Sequence, residues 1–251
     1  MSILDHLNLG HGFRRYFRID AALDDALQDE VFRIRHDVYC EDLGFEPLRP
    51  DGRETDAYDA HSIHCLLRTV GSPHQRVGCA RVVLTDPQDR NAPLPFERAC
   101  AATLDRTIID PAALPRDRIG EVSRLAVHRT YRRRKGEERS SVNNIDDRDF
   151  GTKEQPRFPY IPVGLYMGTI AVAARRGIDT LFVLTEPRLA SHFAKLGVKI
   201  TRIGDPIEHR GTRIPSMINV RDVIDNMRLL MKPLWREVAS EIDQSYERAE
   251  R

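Results

Sequence analysis

No C-x-x-C pair occurs in the 251 residues, and the four cysteines, Cys40, Cys65, Cys79 and Cys100, are scattered. That argues against a disulfide frame and points to buried free thiols in a reducing compartment. His61 and His64 lie close together but lack a cysteine or third histidine at ligand spacing. Structural metal sites want four ligands, so no metal is expected. No basic stretch followed by an apolar core opens the chain, so no secretory signal is expected. Long apolar runs are missing as well. The longest uncharged stretch, 158–174, contains Pro159, Pro162, Gly164 and Gly168, and it falls short of the roughly 20 apolar residues of a membrane span. Net charge is only +1, which argues against chain-wide binding of nucleic acid. What remains is a chain with 41% hydrophobic and 31% charged residues, able to bury a core and expected in the cytoplasm.

Hydrophobic periodicity organises the rest. Tyr16–Ile19 reads as a short strand, with Asp20 or Asp24 placed to cap a helix after it. Leu23, Leu27, Val31, Ile34 and Val38 form one apolar stripe of that helix, which should end near Gly44. Arg35 and Tyr39 lie one turn apart on its flank, so both are expected to look into one cleft. Strands are predicted at Ile63–Val70, Val77–Leu84 and Ile119–Val127, then at Thr180–Leu184, Val198–Ile203 and Ile214–Val220. Helices are predicted at Val163–Arg176 and Pro187–Leu196, and over the last thirty residues, where Pro233 should kink or divide the helix. Between these, 128–156 is polar and charged with little to bury, and it reads as a loop or lid. The order predicts an α/β (α+β) fold with a mixed, largely antiparallel sheet and helices on both faces. No linker or repeat divides the chain, so a single domain over 1–220 is expected. It would carry a charged insertion at about 128–158 and a C-terminal helical extension at 221–251.

Three polar features interrupt this pattern. Glu54-Thr-Asp56-Ala-Tyr-Asp59 places three carboxylates in one loop, which suits either a solvated acidic turn or a site for an ammonium group. Glu121-Val-Ser123-Arg124 puts two charges inside an apolar strand. Strict alternation sets Glu121 and Arg124 on opposite faces, so a shared site requires a bulge; an edge strand with two solvated charges is the other reading. Arg129, Arg132, Arg133, Arg134 and Lys135 make a basic run ahead of Gly136, fit for a phosphate or an acidic partner surface, or for a plain solvated loop.

Taken in order, these segments resemble the N-acyl-homoserine-lactone synthases and the N-acyl amino acid synthases, both of the GNAT acetyltransferase fold. Arg35-x-x-x-Tyr39 with Phe45 is similar to the family's arginine and aromatics near the first helix. Glu54-x-Asp56-x-x-Asp59 resembles its E-x-D-x-x-D element. Val77-Gly-Cys-Ala-Arg81 resembles its G-x-x-R strand, and Glu121-x-Ser123-Arg124 its E-x-S-R strand. Length, charged insertion and C-terminal extension look closest to the exosortase-associated acyltransferases. Phe45 stands where the lactone synthases have tryptophan, and Tyr39 where they usually have phenylalanine. These departures weaken transfer of their S-adenosylmethionine substrate.

The resemblance implies transfer of a fatty acyl group from a phosphopantetheine thioester to the amino group of an amino acid or related amine. The thioester would be on acyl-carrier protein or coenzyme A, as a co-substrate rather than a bound cofactor. The alternative is a true autoinducer synthase using S-adenosylmethionine. Glu121 is then the expected base, with Arg124 beside it at the catalytic centre. Asp56 and Asp59, with Glu54, Ser123, Arg35, Tyr39 and Phe45, would surround the amine substrate. Arg81 and Arg124 would pair with its carboxylate or with those acids. The run Arg129–Lys135 favours the acidic carrier protein on charge grounds. Phe158, Ile161, Leu165 and Met167 line an acyl tunnel in one reading and belong to ordinary core in the other. No nucleic-acid partner and no transmembrane segment is expected; the last helix leaves room for peripheral membrane contact.

Overall fold

The structure is a computed structural model and describes residues 8–132, 159–187, 193 and 198–251. An eight-stranded sheet forms its centre. In chain order the strands are β1 (Phe17–Ala21), β2 (Ser62–Thr69), β3 (Arg76–Leu84), β4 (Ile119–Val127) and β5 (Thr180–Thr185), followed by β6 (Thr201–Arg202), β7 (Ile207–Glu208) and β8 (Thr212–Asn219). They lie side by side in the order β1-β2-β3-β4-β5-β8-β6, with β7 also on β8. Every pairing is antiparallel except β4 with β5. The predicted mixed, largely antiparallel sheet is therefore what forms. Val198–Ile203 contracts to the two residues of β6, and the segment expected to be helical at Pro187–Leu196 falls mostly outside the described residues.

Helices cover both faces. On one, α2 (Asp25–Arg35) begins at Asp24, whose carboxylate accepts the Leu27 N–H at 2.9 Å. Its predicted stripe packs Val31 and Ile34, with Val38 just beyond, on Leu66, Cys79 and Ala126 of the sheet. Beyond Arg35 the coil widens to a π-helix, His36–Asp42. On the other face lie α1 (Leu9–Tyr16), α4 (Tyr160–Arg175) and α6 (Lys232–Ala249); α3 (Pro95–Ala99) and α5 (Val220–Asp225) are short. Helix α4 is apolar all round because it is buried all round, with Val163–Ala173 each covered. Leu165 and Met167 are core residues of this layer. The predicted effect of Pro233 is seen as a division: α5 ends at Asp225, and α6 starts with the proline in its first turn, where its missing N–H leaves no bond unmade.

Helix α6 shares its core with the sheet domain, burying Leu234, Val238, Ile242 and Tyr246 in the same cluster as α4. It also covers an exposed sheet edge. The outer N–H groups of β1 would otherwise be free to template another strand. Instead, Ile19 donates to Glu241 Oε2 at 2.8 Å and Ala21 donates to Ser245 Oγ at 3.2 Å. Burial raises the Glu241 carboxyl to about 7, against the pull of the Ile19 N–H. An acid raised in the folded state binds more protons folded than unfolded between about pH 4.5 and 7, so stability falls as pH rises through that window. Glu241→Gln keeps an acceptor oxygen without the charge. Thermal melts should show the wild-type Tm declining from pH 5 to 8 more steeply than that of the variant. Parallel declines would refute the assignment.

The candidate active site

The site is built where β4 and β5 part. Their parallel ladder runs from Ile119↔Thr180 to Val122↔Val183 and stops. Past that point a cavity of about 620 Å³ opens between the two strands. Val122–Leu125, Val183 and Leu184 line it from the sheet. Tyr39, Phe45, Asp56 and Tyr58 line it from the α2 side, Pro95, Arg98 and Ala99 from α3, and His209, Arg210 and Arg213 from the β7–β8 hairpin.

Strand β4 departs from alternation here, as a shared site requires. Cys79 faces Ala126 and Arg81 faces Ser123, so two β4 residues, Arg124 and Leu125, oppose the single Ala80. Arg124 absorbs the kink with φ of +50°. Before the bulge the odd positions face α2 and α3: Ile119 packs with Phe96, Glu121 bonds to Phe96 and Ser123 bonds to Arg81. After it the even positions do, Arg124 toward Glu54 and Ala126 into the α2 core. Ser123 and Arg124, neighbours in sequence, thus reach the same side. Gly78 accommodates the bulge from β3, since a Cβ there would sit 2.7 Å from the Ala126 carbonyl oxygen.

Glu121 is buried at the cavity wall with 3% exposure. Its Oε2 accepts the Phe96 N–H at 2.7 Å. Burial raises its carboxyl to about 7, with the Phe96 N–H and the Arg81 and Arg124 charges pulling the other way. A carboxyl so placed can hold or release a proton near neutral pH, as a general base must.

The acidic loop forms an ion cage with three arginines. Arg35, fully buried, donates to Glu54 and to Asp59, the latter at 2.6 Å. Arg81 donates to Asp56 at 2.6 Å, Asp59 at 2.7 Å and Ser123 at 3.1 Å. Arg124 donates to Glu54 at 3.2 Å, Asp56 at 3.0 Å and Glu46 at 3.4 Å. Burial alone would raise all three loop acids, but the guanidiniums outweigh it. Glu54, Asp56 and Asp59 are all held below the usual carboxylate range. His64 stands behind the cage, 3.6 Å from Asp59, lowered to about 3 by burial and the Arg35 charge, and so neutral.

Arg81, Asp56, Glu121, Ser123, Arg124, Tyr39 and Phe45 meet at the cavity, as expected from sequence. Arg35, Glu54 and Asp59 do not line it; they lie behind its wall and brace Arg81 and Arg124. The one-turn relation of Arg35 and Tyr39 fails for a local reason. The π-turn after Arg35 rotates the following residues, so Tyr39 faces the cavity while Arg35 points under it. Arg81 and Arg124 pair with the acids, and the cavity is left to other cations. The tunnel assigned to Ile161, Leu165 and Met167 is not part of this cavity, and Phe158 lies outside the described residues. In the basic run, Arg129 is exposed and 3.5 Å from Asp42, while Arg132 is largely buried against Asp42 at 2.5 Å. Arg133, Arg134 and Lys135 lie outside the described residues.

Sequence reading missed Arg98, His209, Arg210, Arg213 and Glu186. Arg210 stacks over Phe45, 5.8 Å from its ring centre, and pairs with Glu46. Arg213 pairs with Glu186 at 2.5 Å. The four free cysteines are all buried, and Cys79 is pushed up to about 12 by burial, which makes it inert.

A sheet split between β4 and β5, with an ionisable carboxyl in the split, has the architecture of the GNAT fold. The GNAT acetyltransferase domain family matches residues 34–140. An acyl-homoserine-lactone synthase of Pseudomonas fluorescens is 26% identical over 197 residues, covering 77% of this chain and 80% of that protein. Among solved structures, a CoA-dependent acyl-homoserine lactone synthase with SAM and isopentyl-CoA shares the fold at a TM-score of 0.57 and 21% identity, over 87% of this chain and 89% of that one. An N-acyl amino acid synthase from uncultured soil microbes does so at 0.53 and 14%, over 86% and 97%. The chain carries a GNAT-type domain over residues 34–140, is similar in sequence to an acyl-homoserine-lactone synthase, and shares its fold with an N-acyl amino acid synthase. Among the described residues no helix is long and apolar enough to cross a membrane.

Proposed function

We propose that the enzyme moves a fatty acyl group from an acyl-carrier-protein or acyl-CoA thioester onto the amino group of an amino acid or related amine. The observation that carries this reading is the Glu121 carboxyl, raised to about 7, in the wall of the cavity at the β4–β5 split. A free amino acid is mostly ammonium at neutral pH and attacks only after losing a proton. Ionised Glu121 takes that proton, directly or through one water. The amine nitrogen then bonds to the carbonyl carbon, the carbon–sulfur bond breaks, and the leaving thiolate takes up the second proton that the nitrogen sheds as it becomes an amide. Tyr39, Phe45 and Tyr58 wall the place of the acceptor, beside Asp56 at the cavity edge. A backbone N–H at the end of the β4–β5 ladder would serve the developing oxyanion.

The basic run Arg129–Lys135 supports an acidic carrier protein as donor. The likeness to exosortase-associated acyltransferases rests on length, insertion and extension, and belongs to this proposal. A second reading, an autoinducer synthase acting on S-adenosylmethionine, is favoured by the long match to the Pseudomonas fluorescens protein. Phe45 and Tyr39, in place of that family's usual aromatics, favour the first.

Both are tested by mass spectrometry of products after incubating acyl-carrier protein or acyl-CoA with amino acids and with S-adenosylmethionine. N-acyl amino acids without lactone support the first reading; acyl-homoserine lactone with methylthioadenosine supports the second. No acyl amide from any acceptor would dismiss both. With the carrier donor, KM should climb steeply as salt is raised. A KM flat across ionic strength would remove the docking role of the basic run.

A further inference from the structure

Among the described residues five arginines line the cavity, and four of them are engaged. Arg81 and Arg124 sit in the ion cage, Arg210 holds Glu46, and Arg213 holds Glu186. Among the described residues, Arg98 is the lining arginine with no carboxylate or other side-chain partner. Its neighbour Glu97 is buried and turned away, accepting from the Leu94 N–H at 2.8 Å and from Arg116 at 2.9 Å. Of the lining acids, Asp56 and Glu186 are each in an ion pair, and Glu121 accepts the Phe96 N–H. Among the described residues the cavity thus presents one unpaired guanidinium, on the exposed Arg98, beside the Glu121 carboxyl.

Its position is tied to the expected base. Arg98 stands on α3, the five-residue helix whose Phe96 N–H holds Glu121 Oε2 at 2.7 Å. Arg98 and Glu121 line the same cavity, and a ligand with an amine and an anion on one carbon presents one group to each. A guanidinium offers two parallel N–H donors to a carboxylate, which a neutral side chain cannot do.

We propose that Arg98 binds the α-carboxylate of the acyl acceptor and so restricts the enzyme to α-amino acids over plain amines. The proposal rests on the acyl-transfer reading but not on which acceptor is used, since an amino acid and S-adenosylmethionine carry the same group. It makes Arg98 a specificity-determining residue.

The test uses Arg98→Gln and Arg98→Lys in the full chain. The twenty standard L-amino acids and S-adenosylmethionine are screened as acceptors, and the best is compared with its carboxamide. Arg98→Gln should raise the acceptor KM at least about 10-fold with kcat little changed, and Arg98→Lys should recover part of it. With the carboxamide, wild type and Arg98→Gln should match. An unchanged acceptor KM in Arg98→Gln overturns the proposal while the acyl-transfer reading stands. So does a rise in the KM for acyl-CoA that is absent with an acyl-N-acetylcysteamine thioester, which would assign Arg98 to a donor phosphate. If wild type acylates no acceptor at all, both readings fall together. Arg98 is exposed and, among the described residues, makes no side-chain hydrogen bond or ion pair, so equal melting temperatures are expected across the three proteins.

Discussion

Glu121→Gln should slow acyl transfer by about 100-fold or more in single turnover while the melting temperature holds or rises. The substitution removes a base and keeps the shape, and the amide oxygen it introduces can still accept the Phe96 N–H. The wild-type enzyme has a second signature that the variant should lack. Glu121 must be ionised to take a proton, and its carboxyl is raised to about 7 by burial. The rate should therefore rise with pH through that region and level above it, and in Glu121→Gln this rise should disappear. Because the group is raised rather than lowered on folding, its sign for stability is opposite to its sign for rate. Folding is favoured at the acid side of the window from about 4.5 to 7, catalysis at the alkaline side. A variant with full single-turnover rate, or with the wild-type pH profile intact, would remove Glu121 from the role of base.

The second large effect concerns stability. Arg35→Met should lower the melting temperature by about 10 °C, because removing one member of a buried ion cluster strands its partners at a cost of roughly 3–5 kcal/mol. Arg35 has no exposed surface, and Glu54, its partner, is nearly as buried. The double variant Arg35→Met/Glu54→Gln should recover part of the loss, since one of the stranded carboxylates is then neutral. The check is a pair of thermal melts at pH 7. Equal melting temperatures for wild type and Arg35→Met would mean that water, not Arg35, satisfies those acids.

These two expectations show how unevenly the site could be read from sequence. Glu121 and Arg124 announced themselves as charges within an apolar strand, and the need for a bulge followed from their spacing. That the bulge falls at Arg124–Leu125 depends on which β3 residues pair across from it, a non-local matter that strand periodicity does not encode. The loop acids were visible as a cluster, yet their saturation by three arginines was not. Arg35 and Arg81 come from elements 46 positions apart in the numbering, and only tertiary packing brings them to the same carboxylate, Asp59. Arg35 was misplaced because a π-turn leaves no clear trace in an otherwise regular helical stripe. Arg98, Arg210 and Arg213 were passed over for a related reason. Each stands in a turn-rich segment without a motif, where a cation on its own says nothing about what it faces. The sheet itself was legible because its strands are long and β-rich, whereas two-residue strands such as β6 and β7 hold through their neighbour β8 and not through their own composition.

The crease in β4 has a consequence for how this protein can vary. Either side of it, opposite parities of the same strand look toward the arginine cage, so losing or gaining a single residue between Ser123 and Ala126 would not merely shorten a strand. Losing Leu125 would leave Arg124 alone opposite Ala80 and so facing the oily layer under α4, while losing Arg124 would take the third arginine out of the cage. Length changes that surface connections absorb freely are therefore forbidden within these few positions, and the interval between Glu121 and Arg124 should behave as a unit that is kept whole or lost whole.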